Sequence, residues 1–251
     1  DVVAANLFLL GGVQQVTPAT QGIEAFFLAT SERGTKRYNR ETLQDAMNRT
    51  GSSIVIDPED DWTVFGLRAI RSNFDSSWAI FADRVVNPTL ATPDIEVVRS
   101  QLLSGIRQGR LSPDSKLRLL ADSLLYQAQP YALSPEGTEA SVSSLTPAML
   151  REYQQREFVT SRMLLVVVGN VERAKLESLI RSTLATLPVG KYQWKPPRQV
   201  TSTSRALYVE RAALPTNYII GYYAGPPATS KDYNALRIAT AVLSGRFFTE
   251  I

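Results

Sequence analysis

The 251-residue chain contains neither cysteine nor histidine. The first absence excludes disulfides, thiolate nucleophiles and cysteine metal sites. The second removes the commonest zinc ligand, the usual general base and any Ser-His-Asp arrangement. Catalysis here would have to run on carboxylates, lysines or tyrosines. Long apolar runs are also missing. A membrane-spanning helix needs roughly 20 apolar residues, whereas MLLVVV at 163–168 is only strand-sized, so no membrane span is expected. Charge of one sign is missing as well: 27 Lys+Arg stand against 24 Asp+Glu, and the basic residues are scattered rather than interleaved with aromatics. A nucleic-acid partner is therefore not expected. The opening DVVAANLFLL has no initiator methionine and no basic segment before its apolar run, and it starts directly as a strand. Both ends read as cuts through a longer protein.

What is present is an ordinary globular composition, 44% hydrophobic, at a length that permits one large domain or up to two smaller ones. An apolar strand over 2–10 closes on Gly11 and Gly12, and a helix is expected over about 21–32. Asn39 is a good cap for a second helix, with Leu43, Ala46 and Met47 on one face and Gly51 at its end. Two strand-like runs, 53–56 and 62–67, flank the charged turn DPEDD and predict an antiparallel hairpin. A helix over 73–86 stops at Asn87-Pro88. Thr92-Pro93 opens another as cap and first position, and Ile95, Val98, Leu102 and Ile106 give that helix one buried stripe. Pro113 interrupts it, and the pattern resumes over 116–126. Thr146-Pro147 starts a further helix that ends near Phe158. The run at 163–168 reads as a buried strand, followed by Gly169-Asn170 and a helix to about Leu187.

Residues 191–204, with Pro196-Pro197 and a Ser/Thr run, form the best linker. Beyond them 206–209 and 218–223 read as strands, and Ser230 as the cap of a helix reaching Leu243 before Gly245. The order of strand, glycine turn and helix repeats that of the first segment, which suggests a second copy of the first domain beginning at about 205.

The segment GIEAFFLATSERGT at 22–35 carries the functional question. A helix with His, Glu and His at positions i, i+3 and i+4 binds zinc through two imidazoles on one face while the glutamate polarises a water. Without gaps, 22–35 resembles the signature segment of the insulinase, pitrilysin and mitochondrial-processing-peptidase family of zinc metallopeptidases, approximately G-x-x-H-F-x-E-H-x-x-x-x-G-T. On that frame the histidine positions are Ala25 and Ala29, and the glutamate position is Leu28. The family's remaining ligand, from a stretch like E-R-x-V-x-x-x-E, falls on Gly105, and its supporting acidic position on Val98. All five have lost the chemistry. Further pieces follow the family order: Asn48 to Gly51, Asn87-Pro88, Pro130-Tyr131, PEGT at 135–138, SLT at 144–146, VVVG at 166–169 and Leu187-Pro188.

The resemblance implies an α+β fold, helices packed on a mainly antiparallel sheet, in duplicated halves. Residues 1–190 would form the domain with the degenerate zinc motif, 191–204 a linker, and 205–251 the truncated start of a second, homologous-looking domain. It implies an inactive subunit or half, with no catalytic, cofactor-binding or metal-binding residue and no cofactor. Its partner would be a zinc-bearing peptidase subunit of the same family, and a bacterial extracytoplasmic setting would suit it. The alternatives are a structural core subunit of a larger complex and an enzyme using other residues. Family members bind extended peptide along an edge strand, which falls here on VIDP at 55–58, where Pro58 lacks an N–H and guards against pairing. Among other candidates, Asp57 and Glu59 to Asp61 read as a solvated turn rather than a calcium site. Glu24 and Glu32 lie about two turns apart, too far to share a metal. Tyr218, Tyr222 and Tyr223 read as packing aromatics, and a substrate role for Arg246 would follow from the family resemblance alone.

Overall fold

The computed structural model describes residues 1–127, 129–196, 206–211 and 213–250. They divide into two compact units, Asp1–Pro196 and Pro197–Ile251. The first contains β1 (Val2–Leu10), α1 (Ile23–Ser31), α2 (Arg40–Thr50), β2 (Ser53–Pro58), β3 (Trp62–Ile70), α3 (Phe74–Val86), α4 (Thr92–Leu111), α5 (Pro113–Leu125), α6 (Glu139–Ser144), α7 (Pro147–Glu157), β4 (Met163–Val168) and α8 (Arg173–Ser182). Its four strands form one antiparallel sheet in the order β2-β3-β1-β4. The fold is thus α+β, helices on an antiparallel sheet.

Alternation along the strands builds the core. Val3, Ala5, Leu7 and Leu9 of β1 and Phe65, Leu67 and Ala69 of β3 are buried. They meet Phe26, Phe27 and Leu28 of α1, Trp78, Phe81 and Val85 of α3, and Ile95 and Val98 of α4. Phe65 stacks on Phe81 at 4.9 Å between ring centres, one of several aromatic contacts joining sheet and helices.

The other face of the sheet is unusual. In register, Leu164 lies beside Phe8, Phe8 beside Val64, and Leu10 beside Trp62. Phe8 and Trp62 meet edge-on at 6.1 Å. Half-covered antiparallel sheets normally alternate with polar residues on their wet side, but here Val55, Trp62, Leu164, Val166 and Val168 are all exposed. The run 163–168 is therefore not buried on both faces as its composition suggested. Leu164, Val166 and Val168 are 49, 42 and 67% exposed in the first unit, on the side of the sheet away from the core.

Helix boundaries follow local chemistry, with instructive shifts. Asn39 caps α2 by accepting from the Thr42 N–H, Gly51 ends it in the left-handed region, and Thr146 caps α7. Thr92, expected as a cap, lies inside α4, whose cap is Ala91. Pro113 does not merely interrupt; it opens α5, with Ser112 as its cap. In the second unit α9 (Tyr233–Glu250) runs through Gly245, which does not end it. Ser230 lies in the turn before α9 rather than at its cap, and the described residues of 206–209 and 218–223 form no strand. Residues 197–204 of the expected linker lie outside the described residues. Among the described residues no helix is long and apolar enough to cross a membrane.

Candidate functional site

The helix α1 carries the motif frame, and its start is fixed by a backbone contact. Gly22 caps it at φ 86, and a Cβ there would lie 2.7 Å from both the Gly137 Cα and the Glu136 carbonyl oxygen. Only glycine combines that left-handed conformation with such an approach. This contact brings the separate GIE and PEGT pieces of the sequence together.

On this helix Leu28 is 0% and Ala25 7% exposed, and Ala29 is partly buried against the core. The three positions form a packing surface of hydrocarbon, with no lone pair to offer a metal. Gly105 lies exposed on α4, where a Cβ would meet nothing within 4 Å, and Val98 is buried in the core.

Polar chemistry survives one turn before Leu28. The carboxylate of Glu24 is buried, accepting from the Arg162 Nη1 at 2.7 Å and from the Tyr153 hydroxyl at 2.8 Å. Arg162 is 0% exposed, and its Nη1 also donates to the Tyr153 oxygen at 3.3 Å. Its Nε donates to the Leu10 carbonyl at 2.6 Å, so the side chain continues the β1–β4 ladder past its last backbone pair. The second terminal nitrogen, Nη2, meets no protein acceptor. Burial and then the Glu24 charge hold the Tyr153 hydroxyl well above its ordinary range. Burial alone would favour a neutral arginine, but Glu24 and Tyr153 more than offset it and keep Arg162 charged. The triad joins three side chains from three parts of the chain, so it ties α1 to α7 and to the entry of β4.

Glu32, at the other end of α1, faces a different arginine. Arg84 lies 3.7 Å from it and donates to the Ser31 hydroxyl at 3.2 Å and to the Leu28 carbonyl at 3.4 Å. Burial lowers the Arg84 pKa to about 10, with Glu32 opposing. The two glutamates therefore serve two separate buried cations.

The acidic turn is docked rather than merely solvated. Asp61 and Asp60 present their carbonyls to the N–H groups of Gly11 at 2.7 Å and Val13 at 2.9 Å, and Asp61 Oδ1 accepts from the Tyr131 hydroxyl at 2.5 Å. Burial, then Asp122, Asp61 and Glu59, raise the pKa of Asp60. Among the described residues no group of three or more His, Cys, Asp or Glu is placed to hold a metal.

Bonds at the strand ends fix which backbone groups face outward. Glu59 donates to Trp62, Gly11 to Asp61 and Arg71 to Asp1. Alternation from these pairs leaves Pro58 opposite Thr63 at a non-hydrogen-bonded position, so the N–H that Pro58 lacks would face the open edge of β2. Ile54 and Ile56 keep outward N–H groups there. In the second unit Arg246 lies on α9.

Sequence reasoning weighed Glu24 but missed Arg162 and Tyr153. An arginine leading directly into an apolar strand, with no acid at local spacing, was the only signal that a distant carboxylate awaits it.

Residues 144–251 match the family described as the Peptidase M16 inactive domain. Among curated proteins, the chain is 25% identical over 218 residues to an uncharacterized zinc protease of Mycobacterium leprae, covering 83% of this chain and 48% of that protein. It is 23% identical over 229 residues to the human mitochondrial cytochrome b-c1 complex subunit 1, covering 90% and 48%. The chain thus spans about half the length of these relatives. Among solved structures, a peptidase M16 inactive domain from Pseudomonas fluorescens superposes with a TM-score of 0.71 at 19% identity, covering 80% of this chain and 50% of that one. The periplasmic protease PqqL from Escherichia coli superposes at 0.70 with 20% identity, covering 79% and 23%. Together with the degenerate α1 frame, these likenesses bear out the resemblance to the insulinase, pitrilysin and mitochondrial-processing-peptidase family, with residues 144–251 matching the model of its inactive domain.

Proposed function

We propose that the chain is a non-catalytic subunit or half that pairs with a zinc-bearing peptidase of the same family and supplies part of the wall of a peptide-processing chamber. The observation that carries this reading is the filling of the motif helix. The frame from Gly22 to Thr35 is kept, but Ala25 and Leu28 are packed into the core and Glu24 is neutralised by Arg162. A scaffold kept without ligands works by contact. The exposed apolar sheet face supports the same reading, because apolar patches of this kind mark interaction surfaces. Residues 191–204 are read as the linker and 205–251 as the start of a second domain like the first. Extended peptide could pair with the β2 edge only through Ile54 and Ile56, since Pro58 blocks its hairpin end.

The second reading, a structural core subunit without a proteolytic role, is favoured by the likeness to cytochrome b-c1 complex subunit 1. Co-expression with zinc-bearing relatives from the same source, followed by pull-down and peptide digestion, separates the two. Association with a gain in peptidase activity supports the chamber; stable assembly without any effect on proteolysis supports the core subunit. No association in either setting removes the pairing.

A further inference from the structure

We propose that residues 188–192 form a releasable strap on the first unit, closed in this structure, whose opening lengthens the tether that leaves the unit. The inference is independent of the proposed peptidase pairing and uses contacts within the first unit alone. After α8 the chain comes to lie against the residues between α7 and β4. The N–H groups of Thr160 and Ser161 donate to the carbonyls of Pro188 and Val189, both at 2.8 Å, and the Tyr192 N–H donates to the Ser161 hydroxyl oxygen at 3.1 Å. Between these bonds Gly190 sits at φ 71, so close to the buried Val159 that a Cβ there would lie 2.5 Å from the Val159 Cβ. Any side chain would push the segment off Val159, so the glycine is the latch.

The two sides of this contact differ in what holds them. The base is anchored: Arg162, next in sequence to Ser161, is 0% exposed, donating to the Leu10 carbonyl at 2.6 Å and to Glu24 at 2.7 Å. The strap has little burial of its own. Pro188, Gly190 and Lys191 are exposed, Val189 is 71% exposed, and Tyr192 is partly buried. Segments held by a few bonds with little buried apolar surface open locally, well before the fold as a whole.

Release changes the reach of the chain. While the strap is shut, the tether starts at Gln193, because Tyr192 carries the last of the three bonds. When the bonds and the Gly190 seat let go together, the five residues 188–192 join the tether, which at extended-chain length adds roughly 17 Å. None of those residues belongs to the hydrophobic core, so the first unit keeps its fold in both states. The strap thus gives the tether two lengths, short when latched and long when free.

Amide exchange in the full chain tests this through the three donors, Thr160, Ser161 and Tyr192, set against Phe26, whose N–H is bonded to Gly22 at the start of α1. The three are expected to share one opening, with protection at least about tenfold below that of Phe26. Ser161→Ala removes the acceptor of Tyr192 alone. A strap that moves as one body then loses protection by about fivefold, the worth of one hydrogen bond, at Thr160 and residue 161 as well as at Tyr192, with Phe26 unchanged. A loss confined to Tyr192 means independent fraying and overturns the proposal. Gly190→Ala breaks the seat on Val159 without removing a donor or an acceptor, and is expected to lower the protection of the same three amides by about tenfold or more. No change in that variant overturns the latch. Protection of the three as strong as that of Phe26, or a fall of Phe26 in step with them in either variant, makes the segment part of the core and overturns the proposal as well.

Discussion

Replacing Glu24 by glutamine removes one charge from the buried triad while keeping its shape and its ability to accept from Tyr153. Arg162 then remains 0% exposed, with its Leu10 bond but no counter-charge, and its Nη2 already lacks a protein partner. Breaking a buried pair in this way costs about 3–5 kcal/mol, far more than an exposed pair is worth, because the surviving ion keeps its desolvation penalty. Against a total of roughly 5–15 kcal/mol this is about a fifth or more of a typical domain's stability. For a unit of this size each kcal/mol moves the thermal midpoint by about 2–4 °C, so the expected fall is roughly 6–20 °C. Tryptophan fluorescence reads it cleanly, since Trp62, Trp78 and Trp194 all lie in the first unit. The double substitution Glu24→Leu with Arg162→Met fills the same space without charge and should recover most of the loss. A fall of less than about 2 °C in Glu24→Gln, under 1 kcal/mol on this scale, or a double variant less stable than the single one, would refute the reasoning.

Three further outcomes follow from the same structure. Burial first, then Asp61 and Glu24 respectively, hold the hydroxyls of Tyr131 and Tyr153 above the ordinary tyrosine value. Above pH ~10 the unfolded chain loses protons that these two retain when folded, so their contribution to stability is lost as pH rises through their folded values. Arg84, lowered to about 10, acts in the opposite sense. Ultraviolet absorbance during alkaline titration should show two of the ten tyrosines ionising only as the fold opens; their ionisation in the folded chain would contradict the burial. Gly22→Ala places a Cβ against Gly137 in a left-handed conformation and should cost at least about 1–3 kcal/mol. Gly105→Ala, with open space around it in mid-helix, should instead gain about 0.5–1 kcal/mol. Denaturant midpoints compare the two, and equal effects would contradict the contact. The pKa of Asp60 is raised, so its ionised form costs stability above that raised value and not below the ordinary one. Asp60→Asn should therefore stabilise the chain at neutral pH and not in acid, read from melting midpoints at both.

Much of the fold was legible because its signals are local. Asn39, Gly51 and Thr146-Pro147 mark helix ends through their own side chains, and the alternation in 62–70 is a strand's own period. Thr92 misled because threonine is acceptable both as a cap and in a first turn, and the capping bond was never made. The apolar run at 163–168 misled because composition cannot tell a strand buried on both faces from one whose second face is bare. Gly245 does not stop its helix, since glycine in a helix carries only a modest penalty. Of the candidate site, the absence of ligands was written in Ala25, Leu28 and Ala29, but what replaced them was not. Glu24 finds Arg162 and Tyr153 only through the tertiary fold, a pairing that no spacing rule announces.

The closure of that triad has an evolutionary consequence. Reinstating histidines at 25 and 29 and a glutamate at 28 would insert a new carboxylate one turn from a carboxylate already committed to a buried guanidinium, in a space that Leu28 fills completely. Removing Arg162 first would strand Glu24 without its counter-charge. Neither order of steps passes through a stable intermediate. The buried pair thus acts as a ratchet on the degenerate helix, because each single step back toward ligands leaves one charge of Glu24 and Arg162 without its partner.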